Sequence, residues 1–253
     1  MIEWFILICF FLLGIILGSF YNVLGLRIPK NESIVFPGSH CTKCNHDLKW
    51  YDLIPLFSYL FLKGKCRYCH SKISWLYPFN EFVCGLLFSV SYYSFGFSYE
   101  LIIALTLSSL LVLVIASDVT YMIIPDRFTF ISSLIIIVIK LLDIGVMDTL
   151  IAIGSGLISF SLMYLLMMLG NFLFKKETLG GADIKLMFLI GLVVHPIIAM
   201  LVVVIASFIA LPSSLIVYYK NKEHAIAFGP FLVIGLLIMY FTKINVMDII
   251  NFL

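Results

Sequence analysis

The sequence predicts an all-α polytopic membrane protein with about eight transmembrane helices and a small polar insert. Two observations predict this class. Of the 253 residues, 62% are hydrophobic and 12% are charged, whereas about a quarter of the residues in soluble proteins are charged. In addition, apolar runs long enough to cross a bilayer recur along the chain. A cytosolic globular enzyme is therefore excluded, and the lipid bilayer is the expected surrounding.

The apolar runs define the predicted crossings. A spanning helix needs about 20 apolar residues, because about 30 Å of hydrocarbon is crossed at 1.5 Å per residue. Uncharged runs cover residues 4–26, 82–99, 101–117, 149–174, 186–219 and 225–242, and a weaker run starts at residue 128. The run 186–219 is long enough for two short crossings, with a turn at His195-Pro196. These runs predict eight crossings.

The positive charges predict the orientation. Lys and Arg stay on the cytoplasmic side of a membrane when loops are short. With the N-terminus outside and eight crossings, fourteen basic residues are cytoplasmic, and only Lys140 and Lys243 are outside. Merging the run 186–219 into one crossing would place Lys220 and Lys222 outside, which favours eight. The net charge of +2 is too small to create a broad electrostatic field that attracts nucleic acid, so no nucleic-acid partner is expected.

Two CxxC pairs, 21 residues apart, lie in the polar insert at residues 27–77. The four cysteines are Cys41, Cys44, Cys66 and Cys69. Four thiolates at this spacing can close a tetrahedral zinc site, and they leave no open position for catalysis. Metal binding also supplies folding energy that a short polar segment lacks. The sequence therefore predicts a structural zinc, with disulfides as the alternative that a reducing cytoplasm disfavours.

The insert divides the chain into three predicted parts. Residues 1–26 form the first transmembrane helix, which is not read as a cleavable signal peptide. Residues 27–77 form the cytoplasmic four-cysteine zinc-binding domain, and residues 78–253 form the membrane-embedded domain. Three histidines beside the cysteines are interpreted as surface residues: His40, His46 and His70.

Two acidic residues lie where an apolar run meets the predicted cytoplasmic interface, namely Asp118 and Asp183. Ionisable groups at this depth are costly, so a functional role is the first reading; the alternative is that each marks a helix end. Two neighbouring acids cannot both ionise, and such a pair can activate water for attack on a peptide carbonyl. Asp126, on the same loop as Asp118, is predicted to cap the helix that starts near Phe128, with a direct catalytic role as the alternative.

Ordered motifs along most of the chain resemble those of a known family. They are Gly18-Ser19-Phe20, Asn22-Val23, Arg27-Ile28-Pro29, the two CxxC pairs, Ser74-Trp75, Tyr77-Pro78, Asp118 with Ile124-Pro125-Asp126, the stretch 180–186 and the stretch 228–232. The family is the bacterial type IV prepilin peptidases, membrane aspartyl peptidases with a GxGD-like motif. The interval of 65 residues between Asp118 and Asp183 fits the family's catalytic pair. Ala182 stands where a glycine is usual, which raises the question of a positive φ angle there.

The resemblance implies a specific activity in a bacterial cell (inner) membrane. Such enzymes cut the short basic leader of type IV prepilins or pseudopilins at the cytoplasmic face, after a glycine, with Asp118 and Asp183 as the implied catalytic pair here. Many members then methylate the new N-terminal amine with S-adenosylmethionine. No cofactor-binding fingerprint can be read in the sequence, so this second activity rests on the resemblance. The alternatives are a peptidase without methyltransferase activity and a non-catalytic, zinc-stabilised membrane scaffold or transporter.

Overall fold

The computed structural model describes residues 2–175, 179–221 and 226–244. Within these ranges the chain forms nine α-helices and no strands, which confirms the predicted all-helical class. In chain order the helices are α1 (Ile2–Arg27), α2 (Phe57–Phe61), α3 (Leu76–Phe95), α4 (Tyr99–Tyr121), α5 (Asp126–Asp143), α6 (Gly145–Phe174), α7 (Gly181–Val193), α8 (Pro196–Asn221) and α9 (Gly229–Thr242).

Four of the helices in the described ranges are long and apolar enough to cross a membrane. They are α1 with its short extension to Lys30, α4, α6, and α8 as far as Tyr219. By contrast, the thirteen residues of α7 extend only about 20 Å at 1.5 Å per residue. The number of eight crossings therefore stays a prediction.

The predicted break in the run 186–219 is present. Helix α7 ends at Val193 and α8 begins at Pro196, where a proline without an N–H group is tolerated. The start of the predicted crossing at residues 225–242 lies outside the described residues, and α9 begins at Gly229.

The crossing predicted at residues 82–99 was wrong at both ends. Helix α3 starts six residues earlier, at Leu76, and includes the buried Glu81 that the hydropathy run excluded. It stops at Phe95 because Gly96 adopts a φ of 57°, a left-handed conformation that favours glycine. Tyr99 belongs to α4, which Ser98 caps by accepting the Leu101 N–H at 3.2 Å.

Helix α4 lies at the centre of the helical part. It packs against α1, α3, α5 and α9, and most of its residues are buried. Helices α1 and α3 approach closely through a glycine pair four residues apart, Gly14 and Gly18. A Cβ at Gly14 would lie 2.7 Å from the Cys84 carbonyl oxygen, the close approach that small residues permit between membrane helices.

The cysteine-containing insert has almost no apolar core. Between residues 31 and 75 only Asp52, Gly64 and Cys66 are buried. The Asp52 carboxylate accepts the Arg67 Nε–H at 2.7 Å, and Leu56 N–H donates to Glu81 Oε2 of α3 at 2.8 Å. Polar contacts therefore hold the insert together and attach it to the helices, while hydrophobic burial contributes little.

Candidate active site and cysteine cluster

Asp118 lies in the last turn of α4 and is buried, with 6% of its surface exposed. Met122 follows the helix in a left-handed conformation, and its N–H donates to the Asp118 carbonyl oxygen at 2.8 Å. The helix therefore stops one turn after the acid. On the side chain, Oδ2 accepts the Gly229 N–H at 3.2 Å.

Gly229, the first residue of α9, leaves room for the Asp118 carboxyl group. A Cβ at this position would lie 3.0 Å from Asp118 Oδ2 and would collide with the Ile124 side chain. The sequence motif at residues 228–232 drew attention to this segment without indicating its role. The available sequence signal for a helix start here was that Pro230 follows this glycine, because proline favours the first turn of a helix.

Asp183 lies in the first turn of α7 and is also buried, at 9% exposure. The positive end of a helix dipole favours an acid in this turn. Gly180 precedes the helix, and a Cβ there would lie 3.1 Å from Asp183 Oδ2. Ala182 is helical and lacks a positive φ angle, so an alanine fits where the family usually has glycine.

The structure brings Asp118 and Asp183 together from separate helices. Their carboxyl groups are close enough to interact electrostatically. Helices α5 and α9 each pack against both α4 and α7. Asp118 and Asp183 are thus both buried, at the ends of two helices against which α5 and α9 pack.

The predicted capping role of Asp126 is wrong. Helix α5 begins at Asp126 itself, with Pro125 in the capping position and no capping hydrogen bond from a side chain. Both carboxylate oxygens of Asp126 instead accept from Lys185 Nζ, at 2.6 and 2.7 Å. Both side chains are exposed, and the pair links α5 to α7 two residues after Asp183.

The four cysteines of the insert converge. Their Sγ atoms all lie within 4.8 Å of one another, and those of Cys41 and Cys69 are 3.8 Å apart. A tetrahedral zinc site with Zn–S bonds of about 2.3 Å places its sulfurs about 3.8 Å apart. None of the six cysteines, all of which the structure describes, forms a disulfide. The cluster could hold one metal ion, and no histidine of the described residues belongs to it.

Two equivalent turns present these thiols. In each, the N–H of the first cysteine donates to the carbonyl five residues later, at 3.0 Å for Cys41 and 2.9 Å for Cys66. The residue after the second cysteine, Asn45 or His70, has a φ near 55°. A hydrogen bond from the Cys44 backbone N–H is the main cause that lowers the pKa of Cys41 to about 6, which favours the thiolate that metals bind.

Two family models match the chain. The Bacterial Peptidase A24 N-terminal domain matches residues 12–95, and the Type IV leader peptidase family matches residues 105–215. The first match contains the cysteine cluster, and the second contains both Asp118 and Asp183. No solved structure shows significant similarity to the chain.

Three curated proteins illustrate the similarity, and each bears the name prepilin leader peptidase/N-methyltransferase. A Myxococcus xanthus protein is 39% identical over 72% of the chain and 54% of its own length, so the match spans only about half of that relative. A Bacillus subtilis protein is 38% identical over 72% of the chain and 71% of its own length. A Xanthomonas campestris protein is 30% identical over 93% of the chain and 91% of its own length.

Proposed function

Because the chain belongs to the type IV leader peptidase family, we propose that it removes the leader peptide of type IV prepilins or pseudopilins and methylates the new N-terminal amine. The family is one of enzymes, and its second activity appears in the names of the relatives. S-adenosylmethionine is the methyl donor that this second activity requires.

Cleavage is assigned to Asp118 and Asp183. The observation that carries the assignment is that two carboxyl groups are buried at the end of α4 and the start of α7, two helices against which α5 and α9 both pack. Two acids in such a site cannot both be charged, so one holds a proton. The charged carboxylate removes a proton from water, which attacks the peptide carbonyl, and the protonated partner donates to the developing oxyanion. The Gly229 N–H orients the Asp118 side chain for this work.

The proposed orientation places this chemistry on the cytoplasmic side of a bacterial cell membrane, with eight crossings and the N-terminus outside. The insert and the acids belong to the same end of the molecule, because Lys30 Nζ lies 5.2 Å from the ring centroid of Tyr121, one turn beyond Asp118. The fourteen basic residues predicted to be cytoplasmic include those of the insert. A scissile bond at that depth leaves a basic leader in water and an apolar helix in lipid.

The four cysteines are proposed to bind one structural zinc. Support comes from the sulfur spacing and from the scarcity of buried residues between positions 31 and 75. Four thiolates leave no open coordination position, so zinc would stabilise the fold of the insert without taking part in catalysis. In the proposed division, residues 1–26 form the first helix, residues 27–77 the zinc domain and residues 78–253 the peptidase domain.

Substitution of the acids tests the proposal. Asp118→Asn and Asp183→Asn should each abolish leader cleavage by detergent-solubilised enzyme acting on a prepilin, because neither variant retains two ionisable carboxyl groups at the site. Asp126→Asn, the matched control in an exposed ion pair, should retain partial activity. Product mass reports cleavage and methylation separately. Normal cleavage by Asp118→Asn with complete loss in Asp126→Asn would refute the assignment.

A further inference from the structure

A cavity of about 520 Å³ lies between the insert and the ends of α1, α3 and α4 that face it. Its walls include Glu81, Asp52, Lys30 and three tyrosines, Tyr59, Tyr77 and Tyr121. Small-molecule sites commonly occupy clefts of about 300 to 1,000 Å³ with a few polar groups among apolar ones. The cavity thus has the size and the mixed lining of a ligand site, and it contains neither Asp118 nor Asp183.

Glu81 is the unusual group in this cavity. It is buried, at 7% exposure, and it accepts a hydrogen bond from the Leu56 N–H at 2.8 Å. No Lys or Arg in the described ranges forms an ion pair with it, whereas Asp52, in the same cavity, has Arg67. A buried carboxylate without a countercharge is costly. A cationic ligand would remove that cost.

The rest of the lining contains further basic residues, and some of its groups suit the other parts of a nucleoside-containing ligand. The ammonium group of Lys30 lies next to the Tyr121 ring. This ammonium group can pair with a carboxylate of the ligand. Tyr59 and Tyr77 supply aromatic faces on which a purine can stack. A ligand that combines a cation, a carboxylate and a purine therefore matches the chemistry of the lining.

We propose that this cavity binds S-adenosylmethionine, with Glu81 neutralising the positive charge of the ligand, Lys30 binding its carboxylate and the tyrosines contacting its adenine. The assignment rests on the proposed function, which requires this methyl donor. S-adenosylmethionine carries a sulfonium and an ammonium cation, one carboxylate and one purine. Those are the groups that the lining complements.

The position of the cavity accounts for the order of the two reactions. Tyr121 lines the cavity and lies three residues beyond Asp118 on α4. A new N-terminal amine released beside the acids is therefore next to the methyl donor. The lone pair of the neutral amine attacks the methyl carbon, the electron pair of the S–CH3 bond goes to sulfur, and the amine nitrogen then loses a proton to water. S-adenosylhomocysteine leaves as a neutral thioether.

Equilibrium binding of S-adenosylmethionine to full-length, zinc-loaded protein tests the role of Glu81. Glu81→Gln keeps an acceptor for the Leu56 N–H but removes the charge, so the Kd should rise by at least about tenfold. The matched control is Glu100→Gln, at the first turn of α4 and outside the cavity, which should bind like the wild type. An unchanged Kd in Glu81→Gln would overturn the proposal.

Photo-cross-linking of labelled S-adenosylmethionine to the wild-type protein gives an independent measurement that does not depend on a variant folding. The label should map to peptides that contain Tyr59, Tyr77 or Tyr121. Label confined to other segments overturns the cavity assignment even if the enzyme cleaves and methylates a prepilin. A wild-type enzyme that cleaves but neither binds the donor nor methylates would overturn the methyltransferase half of the proposed function as well.

Discussion

At the scale of single residues, glycines control the space around the two acids. A Cβ at Gly180 would lie 3.1 Å from Asp183 Oδ2, and one at Gly229 would lie 3.0 Å from Asp118 Oδ2. Both glycines stand at the start of a helix whose N-terminal turn faces a carboxyl group. Substitution at these positions therefore acts on side-chain geometry without removing a proton donor or acceptor.

Gly229→Ala should slow prepilin cleavage by about 10- to 100-fold, because displacing a catalytic group by about 1 Å can have that effect. The added methyl group would press on Ile124 and on the Asp118 carboxyl group. Gly181→Ala is the matched control, since a Cβ there meets nothing within 4 Å, and it should cleave at the wild-type rate. Cleavage rates measured with one prepilin check both. Equal rates in Gly229→Ala and wild type would show that this contact does not position Asp118.

At the scale of elements, the proposed structural zinc would stabilise an insert that has little apolar core. Few of its residues are buried, so local turns and polar contacts alone should hold it weakly. This weakness leads to a prediction about metal content.

Purified wild-type protein should contain about one zinc per chain, and Cys44→Ser should contain much less, because three thiolates bind more weakly than four. Limited proteolysis should then cut the variant between residues 31 and 75. Cys9→Ser changes an exposed cysteine of α1 outside the cluster and should leave zinc content and proteolysis unchanged. Metal analysis that finds no zinc in a protease-resistant wild-type insert would contradict the structural role.

A second inter-element contact is the exposed ion pair of Asp126 on α5 and Lys185 on α7. Exposed pairs contribute little to stability, so Asp126→Asn and Lys185→Gln should each lower cleavage by less than about tenfold. The double variant should be no slower than the slower single variant, since both changes break the same contact. Additive losses in the kinetic double-mutant cycle would mean that the two residues act separately.

At the scale of the whole molecule, the proposed topology places the loop between α3 and α4 opposite to the insert. In a Cys9→Ser background, Phe97→Cys should react with a membrane-impermeant maleimide in intact spheroplasts, because residue 97 is 77% exposed in the outer loop. Val35→Cys, 66% exposed in the insert, should react only after lysis. Labelling of Val35→Cys in intact spheroplasts would show that the orientation is the reverse of the proposed one.

Several features could be predicted from the sequence because they depend on residues that are close together along the chain. The all-helical class follows from hydropathy, the break before Pro196 from a helix-breaking residue, and the cysteine cluster from the spacing of Cys41, Cys44, Cys66 and Cys69. The boundary between α3 and α4 could not be placed by hydropathy, because Phe95 and Tyr99 are both apolar neighbours of a turn that Gly96 makes.

The sequence by itself determined the helical class, the cysteine cluster and the two acids as candidates. Only the tertiary structure decided which groups surround those acids. Gly229 donates to Asp118 across 111 residues, and Lys185 pairs with Asp126 across 59. Hydropathy and spacing report on local structure, whereas contacts at such separations depend on how the helices pack against one another. For the same reason the burial of Glu81 against the insert became visible only once the insert was placed against α3.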